Sequence, residues 1–262
     1  MRTYDKIIML ICCYFIGACS STAVVEEQIE QPVEVLYNDA LDTVLNESPE
    51  KAAPKFEEVE RQHPYSALAV RAQVMAAWSL YQANDYVRAV NALDRFVELN
   101  PASEFVEYAY YLKALSYYEQ IVDVERDAAM TMLAMQAFEE LVRRFPQGTY
   151  SRDAQLKIDL TRSHLAGKEM AVGRYYMNNQ FYSAALRRFQ VVIDNYDTTS
   201  QVPEALHRSA EAYLALGLIN EAGRIQQVAV YNYPNSIWTE RLAALIADPE
   251  KPAPKGVIKR SF

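Results

Sequence analysis

Glycine is scarce in this chain, 7 of 262 residues, and proline is modest at 11. Together they make about 7% of the sequence, where ordinary usage is about 12%. Few positions can therefore supply the positive-φ turns of a many-stranded β fold. No two glycines stand closer than six residues apart, which excludes the G-x-G-x-x-G and G-x-x-x-x-G-K phosphate loops. No G-x-S-x-G nucleophile turn is present. The three cysteines, Cys12, Cys13 and Cys19, all fall in the first twenty residues, so the body of the chain holds no thiol for a disulfide, a nucleophile or a metal. His63, His164 and His207 are dispersed and never form a His-x3-His pair, which leaves no metal site to expect. A net charge of −8, from 26 basic and 34 acidic residues, makes a poor nucleic-acid binder. These absences point away from an enzyme and away from any soluble cofactor.

What is present begins at the N-terminus. Arg2 and Lys6 precede ten apolar or weakly polar residues, 7–16 (IIMLICCYFI), too few to span a bilayer as a helix. A basic start, an apolar run and then small residues form a secretory signal over 1–18. The run closes on Ile16-Gly17-Ala18-Cys19, which resembles a bacterial lipobox. The resemblance implies cleavage after Ala18, a diacylglycerol thioether on Cys19 and an acylated new N-terminus. It also implies the outer membrane, because serine rather than aspartate follows the cysteine. Several buried acyl chains hold such an anchor stably. Residues 19–32 then read as the lipidated cysteine and a flexible polar tether, whose thirteen residues after Cys19 reach at most about 45 Å. Residues 248–262, with three prolines and four basic side chains, read as a disordered tail.

Between these ends lies an internal repeat. Small residues recur at Ala40, Ala77 and Ala114, then at Gly173 and Ala210, a common spacing of 37 broken once by 59. A second small residue follows each at Ala52, Ala89, Ala134, Ala185 and Ala222. Four positions on stand Phe56, Leu93, Phe138, Phe189 and Gln226, and twelve on stand Pro64, Pro101, Pro146, Asp197 and Pro234. This is the tetratricopeptide pattern. Two antiparallel helices cross closely only where facing side chains are small, a large apolar residue fills the space beside the contact, and proline stops the helix before the next unit. Ser66, Ser103 and Ser236 follow the prolines as helix caps. The expected fold is all-α: a repeat solenoid of about five helix pairs plus a terminal helix. The irregular spacing predicts an insertion around 121–128 and one long middle helix over 151–177. The domain division is then 33–150 for repeats 1–3 and 151–247 for the long helix with repeats 4–5. Pro54 falls inside the second helix of the first unit and predicts a late start or a kink there.

Lipobox, tether, five repeats and long middle helix together resemble the BamD/ComL lipoprotein family over essentially the whole mature chain. The resemblance rests on residues 56–66 (FEEVERQHPYS), 94–101 (DRFVELNP), 138–146 (FEELVRRFP), 174–176 (RYY) and 184–189 (AALRRF). It implies a non-enzymatic subunit of the machine that inserts β-barrels into the outer membrane. The implied partners are the BamA barrel protein, bound by the C-terminal repeats, and unfolded barrel precursors, met by the N-terminal ones. Other assembly lipoproteins complete the candidate partners. The alternative is a repeat lipoprotein that organises peptidoglycan synthesis or envelope constriction.

Two sets of contact residues follow. Counting from each small residue, the inward positions of the first three units include Tyr37, Trp78, Tyr81, Tyr108, Tyr111 and Tyr118. Such a set suits a groove for a precursor strand, because aromatics give contact area at low entropic cost; packing between repeats is the competing use. Arg187 and Arg188 are adjacent on a helix whose inward positions are already taken by Ala185 and Phe189. Exposed arginines in an acidic chain suit a partner carboxylate, and Arg188 matches the position of the family's BamA-contacting arginine. Arg143 and Arg144 form a weaker pair of the same kind.

Overall fold

The computed structural model describes residues 30–121 and 128–248. The signal, Cys19, most of the tether, the core of the predicted insertion and all but the first residue of the tail lie outside the described residues. Those described form eleven helices and no strand: α1 (Val33–Asn46), α2 (Pro49–Gln62), α3 (Ala67–Gln82), α4 (Tyr86–Leu99), α5 (Val106–Tyr118), α6 (Ala129–Arg144), α7 (Ser151–Asn178), α8 (Tyr182–Asn195), α9 (Val202–Ala215), α10 (Ile219–Asn232) and α11 (Ile237–Ala247). Each helix packs mainly on its neighbours in sequence, giving five antiparallel pairs from α1/α2 to α9/α10 with α11 closing the last. None of the described helices is long and apolar enough to cross a membrane.

The small residues sit where the helices cross. Ala40, Ala52, Ala77, Ala89, Ala114, Ala134, Ala185, Ala210 and Ala222 are fully buried, as are Phe56, Leu93, Phe138 and Phe189 beside them. At Gly173 the approach leaves no room for a side chain: a methyl there would overlap the Phe189 ring. Among the second helices of the pairs α10 buries least, only Ala222 and Ala229, because Gln226 replaces the large apolar residue. The extra length between units three and four is the 28-residue α7, about 42 Å of continuous helix. Its N-terminal half buries Ala154 and Ile158 against α5 and α6. Its C-terminal half buries Ala166 and Met170 against α8 and α9.

The turns between pairs share one conformation. His63, Asn100, Phe145 and Tyr233 end their helices with φ between −127° and −134° and ψ between 52° and 64°, outside the α region that a following proline disfavours. Tyr196 keeps nearly the same shape, φ −128° and ψ 38°, with Asp197 in the proline's place. There the hydroxyl of Thr199 donates to the Tyr196 carbonyl at 2.8 Å and holds the bend. Ser66 and Ser236 cap α3 and α11 by accepting the amides of Leu68 and Trp238. Ser103 accepts from Phe105 one turn before α5 begins, so it shapes the loop and not the cap. Pro54 neither delays nor ends α2, which starts at Pro49 under a Ser48 cap. Its ring lies on the exposed side, where the carbonyl it leaves without a donor is open to water.

The two glycines of α7 make opposite demands. Gly173→Ala forces a methyl into Phe189 and is expected to destabilise the fold by about 2 kcal/mol. Gly167, with nothing within 4 Å of a built Cβ, should gain roughly 0.5–1 kcal/mol on Gly167→Ala from helix propensity alone. Urea denaturation of both variants checks the pair, and equal effects would refute the close-approach account.

Candidate functional site

The first helices of successive pairs place their side chains on one face. Tyr37 of α1, Arg71, Val74 and Met75 of α3, Glu107 and Tyr108 of α5, and Tyr150 just before α7 surround a cleft of about 640 Å³. Arg71 is exposed and makes no ion pair among the described residues, so its guanidinium is available at the cleft wall.

One wall of the cleft is a built aromatic array. Tyr150 stacks on Tyr111, ring centroids 4.7 Å apart and planes 18° from parallel, and tilts against Tyr108 at 5.5 Å. The Tyr111 hydroxyl donates to Asp153 Oδ2 at 2.6 Å. Lys157 Nζ stands 3.9 Å from the same Asp153 and 4.7 Å over the Tyr118 ring, which itself meets Phe138 edge-on. Glu107 accepts the Tyr150 amide at 2.9 Å, an approach allowed because Gly148 has no side chain in the way. Burial first, then the neighbouring Tyr150, pushes the Tyr108 phenol up to about 12. Tyr111 is raised too, by burial and then by its bond to Asp153.

The six predicted groove residues therefore divide. Tyr37 and Tyr108 line the cleft, although Tyr37 also packs edge-on to Phe56 at 5.7 Å. Tyr111 stands behind Tyr150. Trp78 and Tyr81 pack half-buried on the core of Val74, Leu93, Phe96 and Leu112, and Tyr118 on that of Phe138. Tyr150, Arg71 and Glu107 escaped the sequence reading. Tyr150 had a signal: it stands four residues after Pro146, as Phe105 stands after Pro101 and Trp238 after Pro234. Phe105 lines the same cleft. Trp238, on α11, packs against α9, 5.3 Å from the His207 ring, with the guanidinium groups of Arg208 and Arg241 over its face at 5.6 and 4.9 Å.

The second predicted site lies on α8. Arg187 is exposed and has no ion pair among the described residues, whereas Arg188 Nη1 meets Glu169 Oε2 of α7 at 3.1 Å. Arg143 and Arg144 are both engaged by Glu140, and Arg144 also covers the Tyr110 ring at 5.0 Å. They are a poor docking pair for that reason. Among the described residues no cluster of three His, Cys, Asp or Glu could hold a metal.

A family model described as YfiO, outer membrane lipoprotein, matches residues 29–229, from the start of the first helix pair into α10. The chain belongs to this family. Among its YfiO-family relatives is the outer membrane protein assembly factor BamD of Caulobacter vibrioides, 46% identical over 209 residues, 80% of this chain and 68% of that one. The factor of the same name from Rickettsia prowazekii is 44% identical over 223 residues, 85% of this chain and 88% of its own. That of Neisseria meningitidis serogroup A is 33% identical over 235 residues, covering 84% and 88%. A far looser likeness, to MamA of Desulfovibrio magneticus, has a TM-score of 0.35 at 15% identity over 78% of this chain and 97% of that one, and carries no weight for function.

The raised phenols make the site sensitive to alkali. A tyrosine raised on folding stabilises the fold below its unfolded value, near pH 10, and that contribution is lost as pH rises through the folded value. Stability should therefore fall between about pH 10 and 12, and the fall should be shallower in Tyr108→Phe. Melting curves across that range test it; identical slopes in both proteins would remove Tyr108 as the cause.

Proposed function

We propose that this chain is a lipid-anchored scaffold subunit of the outer-membrane protein assembly machinery, acting by binding and without covalent chemistry. The observation that carries the reading is near-half identity, over most of the chain, to relatives named outer membrane protein assembly factor BamD. The lipid on Cys19 holds it at the periplasmic face of the outer membrane. The N-terminal cleft receives unfolded barrel precursors, and the α8 arginines dock a BamA-like barrel protein. No observation favours the alternative of a cell-wall synthesis scaffold.

The cleft chemistry supports the first contact. Barrel strands carry girdles of aromatic residues at both membrane interfaces. An unfolded precursor thus offers aromatic rings and a main chain with unpaired polar groups. Tyr37, Phe105, Tyr108 and Tyr150 offer ring faces and edges, while Arg71, Glu104 and Glu107 offer polar partners. Tyr108→Ala is expected to weaken capture of a labelled, urea-unfolded barrel precursor by about tenfold. Fluorescence anisotropy measures it, and an unchanged affinity would place precursor binding elsewhere.

A gentle-detergent pull-down from native membranes tests the partner. Wild-type protein should retain a BamA-like barrel protein and Arg188→Glu should retain less, since truncating or reversing a hydrogen-bonded interface charge costs about 2–5 kcal/mol. Recovery of cell-wall enzymes instead would name a different machine.

A further inference from the structure

Arg188 differs from Arg187 in having a partner inside the molecule, and that partner is placed with care. Glu169 and Gly173 are four apart on α7 and so share one face. On α8 they meet two consecutive residues, Arg188 and Phe189. The missing side chain at Gly173 lets the buried Phe189 ring press on α7. The same close approach brings Glu169 Oε2 to 3.1 Å from Arg188 Nη1. The Glu169 side chain is only 19% exposed while that of Arg188 is 43% exposed. The carboxylate is thus held by the helix packing, and it grips one nitrogen of a guanidinium that carries five N–H donors. The remaining donors have no partner among the described residues.

We infer that Glu169 is a positioning residue: it fixes Arg188 with its remaining donors free for a carboxylate on the docked barrel protein. This deepens the docking role proposed above and rests on it. Arginine loses rotamer freedom when it enters an interface, and a side chain already fixed loses less. Arg187, with no such support, stays a mobile charge that attracts without specifying. A competing use of Glu169, as an internal rival for Arg188, makes the opposite prediction, because removing it would then tighten docking.

The test uses the full lipidated chain in detergent and a solubilised BamA-like barrel protein from the same cells, with affinity read by interferometry. Glu169→Ala should weaken binding about three- to tenfold. On an Arg188→Ala background the same change should have no further effect, because Glu169 acts only through Arg188. Glu169→Asp should restore part of the loss, and Glu169→Gln, which keeps the shape and one acceptor, guards against a folding defect in the alanine variant. Tighter binding on removal of Glu169, an unchanged affinity, or an equal loss with and without Arg188 each overturns the positioning role. Wild-type protein that binds no barrel protein overturns the docking reading itself, and a wild type that binds while ignoring Glu169 overturns only this one.

Discussion

The architecture depends on one steric constraint: inside each pair, two helix backbones approach where neither carries more than a methyl group. Alanine or glycine at both facing positions sets the crossing, and the phenylalanine or leucine one turn later fills the angle that the crossing opens. Everything on the first-helix face inherits its spacing from that contact. Tyr37, Arg71, Tyr108 and Tyr150 belong to four successive first helices or their entries, and they surround one cleft because the pairs repeat at a fixed step. The unit with the weakest version of the constraint, α9/α10 with Gln226, is the one that relies on a separate closing helix and on Trp238 between three cationic or ionisable neighbours.

Charge is arranged around this frame without creating it. Most ion pairs join residues three or four apart on one helix or bridge exposed helix surfaces, and such pairs contribute little. A few are more enclosed. Glu211 is an instance: burial works to raise its pKa, yet His207 and Arg208 prevail and hold it below the usual range. Glu204 likewise lies under both Arg174 and Arg208, joining α7 to α9. In the N-terminal half the corresponding ties are phenolic, with Tyr111, Tyr150 and Asp153 linking α5 to α7.

The repeat was legible because its signal is periodic and short-range: alanines at fixed spacing need no knowledge of neighbours. The long α7 was legible for the same reason, as a surplus in that spacing with no breaker inside it. Asp197 shows that the proline was a marker of the turn and not its cause, since Tyr196 adopts the same backbone with a threonine hydroxyl in support. The site was less legible. Glu169 and Arg188 are 19 residues apart, and Glu107 and Tyr150 are 43. Which side chains meet over such separations depends on helix crossing angles, which composition and period leave open. The aromatic count was informative only in bulk: the structure uses Trp78, Tyr81 and Tyr118 mainly as packing and recruits Tyr150 from a turn.

Seen mechanically, α7 is a rod loaded at both ends. Tyr150, immediately before its first residue, forms part of the cleft wall, while Glu169 and Arg174, toward its far end, brace α8 and α9. At about 1.5 Å of rise per residue, the nineteen positions from Tyr150 to Glu169 set about 28 Å between the cleft wall and the arginine face. One unbroken helix therefore fixes the distance between the two surfaces, a distance that a 14-residue helix such as α8 is too short to span.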